Sequence, residues 1–205
     1  MLRVIREINA FVGECLLLSC EISCLQPGKK AYDAMTSLAP GYGFGKEDHS
    51  NDVKVYRFFS TDVNETVRIP GTYWRFPIVD IMFYDENASH VWSNLPWYKD
   101  LVWSKQDVIF PLRRRPLGEL RVPAPCNVSA YLSVEYGNLS DCATAAVDHH
   151  TYRSRRVTHI PCKLMARRLP WVRRSFAYVD GRPVTIEKFV QRERVLNEFQ
   201  LAPSS

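Results

Sequence analysis

The chain has 205 residues, 46% hydrophobic and 24% charged, with a net charge of +5. That length is enough for one domain with a sizeable core. The composition excludes disorder along the whole chain, and five Trp, ten Tyr and ten Phe predict large buried rings.

The charge is unevenly placed. Arg153 to Arg194 carries twelve Lys/Arg against three Asp/Glu, while the rest of the chain is net acidic. Such a stretch attracts phosphates, anionic lipid or nucleic acid, or is simply a solvated basic surface. No segment offers the roughly 20 apolar residues that a spanning helix needs. The run Cys15–Ser19 is short and flanked by Glu14 and Glu21. Glu7 and Glu14 also break the start MLRVIRE as a signal peptide. The expectation is a cytosolic chain, or one whose natural N-terminus lies further upstream.

Residues 1–26 carry Leu2, Ile5, Ile8, Phe11 and Val12 at helical spacing, which predicts a helix ended by Pro27-Gly28. Residues 36–52, rich in Gly, Pro, Ser, Asn and Asp, predict a loop. Val53–Phe59 and Thr66–Ile69 predict strands. Ile78–Tyr84 is the clearest strand, almost continuously apolar, as in a sheet covered on both faces. Inside it sits a lone carboxylate, Asp80. A charge there is costly unless a metal or a partner such as Arg75 uses it.

Asn87–Trp97 predicts a loop or short helix, and Asp107–Phe110 a short strand closed by Pro111. Cys126–Tyr136 predicts a helix, with Pro125 at its first turn and Gly137 where a left-handed cap is wanted. Thr185–Phe199 predicts an amphipathic helix. Ile186, Phe189, Val190, Leu196 and Phe199 would line one side and Lys188, Gln191, Arg192 and Arg194 the other. The expected organisation is an N-terminal helix and loop (1–50), a core domain (51–165) and a basic C-terminal segment (166–205).

The six cysteines form no Cys-x-x-Cys pair, which disfavours a zinc ribbon. Asn-x-Ser/Thr triplets begin at Asn64, Asn87, Asn127 and Asn138. Together with the cysteines they favour a secretory compartment. Asn127 opens the predicted helix, leaving Asn64, Asn87 and Asn138 as glycosylation candidates.

Two linked segments, Trp74–Tyr84 (WRFPIVDIMFY) and Trp103–Gly137, carry more specific information. Ile78-Val79-Asp80-Ile81, then Trp103 to Pro111, then Val122 to Asn127, then Tyr136-Gly137 occur in that order. This arrangement resembles the fukutin, fukutin-related and LicD group of phosphotransferases over roughly residues 70–140. The resemblance implies a mixed α/β domain with a nucleotidyltransferase-like sheet, incomplete here. It implies transfer of a phospho-alditol or phosphocholine group from a CDP-linked donor to a glycan hydroxyl, in the Golgi or secretory lumen. It also implies Mg²⁺ or Mn²⁺ held by carboxylates, with Asp80 at the position of a metal ligand and catalytic residue.

The same resemblance makes Asp107, Arg113, Asn127 and Tyr131 candidates for binding the donor. Each has a bland alternative: turn or helix-entry chemistry for Asp107 and Asn127, solvation among Arg113–Arg115, and core packing for Tyr131. Cys142 and Cys162 are disulfide candidates. The Asp-x-Asp pair that this chemistry uses is absent, and Asp48 with Asp52, or Asp80 with Asp85, do not replace it on one strand face. The chain is therefore expected to be part of a longer enzyme or an inactive relative. An inactive relative would bind a nucleotide, a glycan or a partner glycosyltransferase. A nucleic-acid binder ranks last, because no recognised motif accompanies the basic stretch.

Overall fold

The computed structural model describes residues 15–18, 21–24, 36–37, 40–48, 54–117, 120–143, 147–148, 151, 153–165 and 169–201. Two compact units are present. One is Met1–Glu135 with Val147–Ser154; the other is Tyr136–Ala146 with Arg155–Ser205. Both are built mainly of strands, so the mixed class holds with β-structure dominant.

The first unit begins with β1 (Cys15–Leu18) and β2 (Glu21–Cys24), an antiparallel pair. The helix expected over 1–26 is thus corrected at these eight positions; the rest of it lies outside the described residues. Helical spacing lost to sheet pairing, because β2 gains a parallel ladder with Asp80–Phe83. Next come β3 (Tyr42–Asp48) and β4 (Lys54–Ser60), also antiparallel. Strand β3 replaces residues 42–48 of the expected 36–52 loop. Its glycines mark close approach rather than a turn: a Cβ on Gly43 would sit 2.3 Å from the Phe59 ring. On the opposite face Tyr42 stacks on Phe58 and Phe44 on Tyr56.

The short strands β5 (Val67–Arg68) and β6 (Arg75–Phe76) pair with each other. The central strand β7 (Ile78–Glu86) follows. It is flanked by β2 and β4, giving the order β1-β2-β7-β4-β3. Its far end continues into β8 (His90–Ser93) and β9 (Val102–Ser104). A short 3-10 helix at Pro96–Tyr98 links those two, so the stretch 87–97, expected as a loop or short helix, holds a strand and the start of a short helix.

Lys105–Ile109 is a short π-type helix, not the expected 107–110 strand. Ser104 explains the difference. Its hydroxyl accepts from the Asp107 N–H and donates to Asp107 Oδ2 at 2.6 Å, a reciprocal cap written in the sequence as Ser-x-x-Asp. The hairpin of β10 (Arg113–Leu117) and β11 (Leu120–Ala124) then leads to the helix Val128–Tyr136. Gly137 closes that helix at φ 70°. Strand β12 (Asp141–Ala143) belongs to the second unit and pairs with β15 (His159–Pro161). The small pair β13 (Val147–Asp148) and β14 (Arg153–Ser154) belongs to the first.

In the second unit Cys142 and Cys162 are joined by a disulfide, and Cys126, in the first, is a free thiol. The basic C-terminal segment is a three-stranded antiparallel sheet. Its strands are β16 (Trp171–Val179), β17 (Arg182–Gln191) and β18 (Arg194–Leu201). The expected 185–199 helix is therefore corrected to a hairpin. Asp180-Gly181 (φ 50° and 74°) and Arg192-Glu193 (φ 48° and 67°) form the turns, the geometry that matches strand twist. Directly opposed charges, Arg174–Glu187 and Lys188–Glu198, tie the strands. At the second turn, a hydrogen bond from Arg173 holds the Glu193 carboxyl below its usual range.

Gly181→Val is expected to destabilise this sheet by about 1–2 kcal/mol, because a β-branched residue is strained at positive φ. A shifted urea midpoint would register the loss, and an unchanged one would count against the turn.

Candidate functional site

Strands β4 and β7 are the centre of the first unit, and their apolar residues explain why. Across 55–59 and 78–84 every residue is buried except two, Arg57 and Asp80. These two are register partners, and the Arg57 Nε donates to Asp80 Oδ1 at 2.9 Å. The carboxylate in the apolar strand thus has its counter-charge one strand away, as a buried charge requires. Arg75, the partner expected from sequence, instead donates to the Thr66 hydroxyl at 2.6 Å.

Strand alternation sets where the pair sits. Val55, Arg57 and Phe59 share a face with Ile78, Asp80 and Met82. Phe59 and Ile78 join Ile69 and Trp74 in one apolar cluster; Val55 and Met82 join Tyr84, Val91, Leu95, Trp103, Ile109 and Tyr131 in another. The ion pair lies in the seam between them, with side-chain exposures of 12% for Arg57 and 23% for Asp80. The Arg57 guanidinium lies 4.1 Å from the centre of the Trp74 ring, a cation–π contact. Gly45, the register partner of Arg57 on β3, makes room for that ring: its missing Cβ would be 2.5 Å from Trp74 Nε1.

The other candidates gather elsewhere. Tyr84 is four residues along β7 from Asp80, roughly 13 Å in an extended chain. There Tyr131 is 2% exposed, stacks on Trp103 at 4.7 Å and meets the Tyr84 hydroxyl at 3.3 Å. Tyr131 is a core ring, which is the packing alternative to its donor-binding role. Asp107 accepts the hydroxyl of Ser104, the residue that caps the π-type helix. Asn127 caps the following helix, its Oδ1 accepting from the Ala130 N–H at 3.1 Å. The two capping loops are tied together by Cys126 N–H to Ile109 O and Asn127 N–H to Val108 O.

Arg113 and Arg115 are half-buried on one face of β10, and Arg114 is exposed on the other. Asn64, Asn87 and Asn138 are all exposed, each within or beside a tight turn bonded by its own or a neighbouring side chain. His159 Nδ1 lies 2.8 Å from Asp141, on the surface of the second unit.

Sequence reasoning missed Arg57, Trp74 and Gly45. A signal for the first was present. Arg57 interrupts the apolar run of β4 as Asp80 interrupts β7, and two isolated opposite charges in neighbouring buried strands seek each other.

A divalent ion of the Mg²⁺ or Mn²⁺ kind takes about six oxygen ligands. Among the described residues no three His, Cys, Asp or Glu side chains converge on one point. Glu21 is the acidic position in register with Asp80 on β2. Asp48 stands three register positions from Arg57 along the β3–β4 ladder, and Asp52 lies outside the described residues. The donor set of the described residues therefore does not fit such an ion.

Residues 31–127 match the family model described as LicD/FKTN/FKRP, nucleotidyltransferase domain. The matched segment belongs to the LicD/fukutin family. That stretch contains β7 with Asp80, the Trp103–Pro111 element and the β10–β11 hairpin. Membership points to a phosphotransferase-like role in glycan modification. No curated protein and no solved structure matches the chain. Among the described residues no helix is long and apolar enough to cross a membrane.

Proposed function

We propose that this chain is a phosphotransferase domain of the LicD/fukutin kind. It acts on a CDP-linked alditol or choline donor and a glycan hydroxyl in the Golgi or secretory lumen. The observation that carries the reading is the family match over 31–127, which spans the sheet around Asp80. In such a transfer the acceptor oxygen bonds to the distal phosphorus of the donor. The bond from that phosphorus to the bridging oxygen breaks, CMP leaves with the electron pair, and the hydroxyl proton passes to a base or solvent. The sheet would be of nucleotidyltransferase type. Exposed Asn64, Asn87 and Asn138 and the Cys142–Cys162 disulfide support an oxidising, glycosylating compartment.

A second reading, a non-catalytic relative that binds nucleotide, glycan or a partner glycosyltransferase, is favoured by one observation: Asp80 is engaged by Arg57.

Calorimetry with CDP, a CDP-alditol and CDP-choline tests both. Binding of at least one of them, competed by CMP, is expected. No binding of any cytidine diphosphate sinks the proposal. CMP release on adding a glycan acceptor selects the enzyme; binding without release selects the non-catalytic relative.

A further inference from the structure

We propose that β16 is a self-pairing edge, on which the second unit docks a second copy of this chain. Strand β16 of one copy lies antiparallel to β16 of the other across a two-fold axis at Ser175. The two three-stranded sheets become one sheet of six strands. The inference is independent of the phosphotransferase reading.

An outer strand offers its backbone N–H and C=O groups to whatever lies beside it, and proteins protect such edges with bulges, charges or prolines. The outer strands of this sheet are β16 and β18. Strand β18 is protected. Its ladder shifts register opposite Phe189 and Val190, and Asn197 and Glu198 stand in its middle. Strand β16 runs nine residues in unbroken register with β17 and holds no proline. Its two charges are already neutralised within the sheet, Arg173 by Glu193 at the β17–β18 turn and Arg174 by Glu187 on β17.

The apolar side chains of β16 are open to solvent on both faces. Strand alternation puts Val172, Phe176 and Tyr178 on one face and Trp171 and Val179 on the other. All five are exposed, Phe176 by 86% and Tyr178 by 79%. Rings this bare along a regular edge mark an interaction surface.

Self-complementarity selects a second copy as the occupant. Pairing the whole strand with itself places Ser175 opposite Ser175 of the copy. Val172 then meets Tyr178 of the copy, Trp171 meets Val179, Arg173 meets Ala177 and Arg174 meets Phe176. Apolar groups face each other on both sides of the sheet, and no two like charges are opposed. The Arg174–Phe176 contact is of the cation–π type, and each Arg keeps its glutamate. Registers centred on Arg173 or Arg174 would instead bring like charges together. A two-fold contact closes on itself, leaving only the two bulged β18 edges outside.

Sedimentation velocity over a concentration series tests the proposal. The mass is expected to rise from 23.7 kDa toward twice that value, with half-assembly at roughly 1–100 µM for a small specific interface. Val172→Lys with Tyr178→Lys opposes like charges twice and is expected to weaken assembly at least about tenfold. Val172→Glu with Tyr178→Glu should do the same. An equimolar mixture of the two proteins should assemble again, because every Lys then faces a Glu. Both positions are exposed, so the fold does not depend on them. Ser175→Cys should cross-link to its copy under mild oxidation, since directly opposed residues lie within disulfide reach. Val179→Cys, also exposed but opposite Trp171, should not. A mass that stays at 23.7 kDa up to about 300 µM would overturn the proposal. So would a dimer that the paired-lysine variant leaves intact, or a mixture that stays monomeric. A monomer that binds phosphatidylcholine–phosphatidylserine vesicles through Phe176 and Tyr178 would assign the strip to a membrane and equally defeat it.

Discussion

Trp103→Ala is expected to lower the stability of the first unit by about 4 kcal/mol, the range for truncating a fully buried Trp. The residue is 1% exposed, and three separate contacts depend on it. Its ring stacks on Tyr131 at 4.7 Å and tilts against Tyr84 at 5.5 Å. Its indole N–H donates to the Tyr131 carbonyl at 3.1 Å. That bond fixes the first turns of the Val128–Tyr136 helix to strand β9. Removing the indole opens a cavity and leaves the helix without its main anchor to the sheet. Trp103→Phe keeps most of the ring contact but not the hydrogen bond, and should cost roughly half as much. Urea unfolding followed by far-ultraviolet circular dichroism measures both. Equal midpoints for wild type and Trp103→Ala would mean that the helix does not dock through this ring.

Asp80→Ala is the second large effect. Truncating one member of a buried ion pair typically costs 3–5 kcal/mol. The pair here is partly solvated, at 12% and 23% exposure, so about 3 kcal/mol is expected after allowing for solvent screening. Arg57→Ala should cost a similar amount and also lose the Trp74 stack. The double change Arg57→Met, Asp80→Leu fills the seam with apolar volume and should cost clearly less than the two single changes together, because neither charge is left in the seam without its partner. Simple additivity would mean that the two side chains do not act as a pair. The same Asp80→Ala protein should show no transfer of a CDP-linked group to a glycan acceptor. Activity that survived it would remove Asp80 from the site altogether.

These two predictions concern the same sheet from different ends. The Trp103 cluster holds the Val128–Tyr136 helix against the end of β7, and the Arg57–Asp80 pair marks the middle of β4 and β7. Asp107, Asn127 and Tyr131, all candidates for ligand contact, serve the first of these. Asn127 caps a helix, Asp107 bonds to the cap Ser104, and Tyr131 fills the core. Family-like residues around a site can thus be the scaffold that shapes it.

Several elements were legible in the sequence alone. The apolar run Ile78–Tyr84 is a central strand because only a doubly covered position tolerates seven nearly continuous apolar residues. Pro125 and Gly137 bracket a helix because ring-fixed φ suits its first turn and positive φ its end. The ordered motifs from Asp80 to Tyr136 carried the family, now matched over 31–127. Two errors could have been avoided from local chemistry. Asp180-Gly181 is a strong hairpin signal that argued against a helix beyond it, and Ser104, an N-cap residue with an acidic residue in the turn that follows, is a helix-start signal that argued against a strand.

Other features were decided only by tertiary structure. Cys15–Leu18 and Glu21–Cys24 follow helical spacing upstream, yet they pair as strands because Glu21–Cys24 gains a second ladder at Asp80–Phe83 that satisfies its backbone groups. Gly43 and Gly45 look like loop residues until Phe59 and Trp74 are seen lying over them. The partner of Asp80 is 23 positions away in sequence. Periodicity reports which face a residue takes, but not which strand will lie beside it. Strand order is set by how distant apolar faces cover one another, and that order, placing β4 against β7, is what gave the carboxylate a guanidinium.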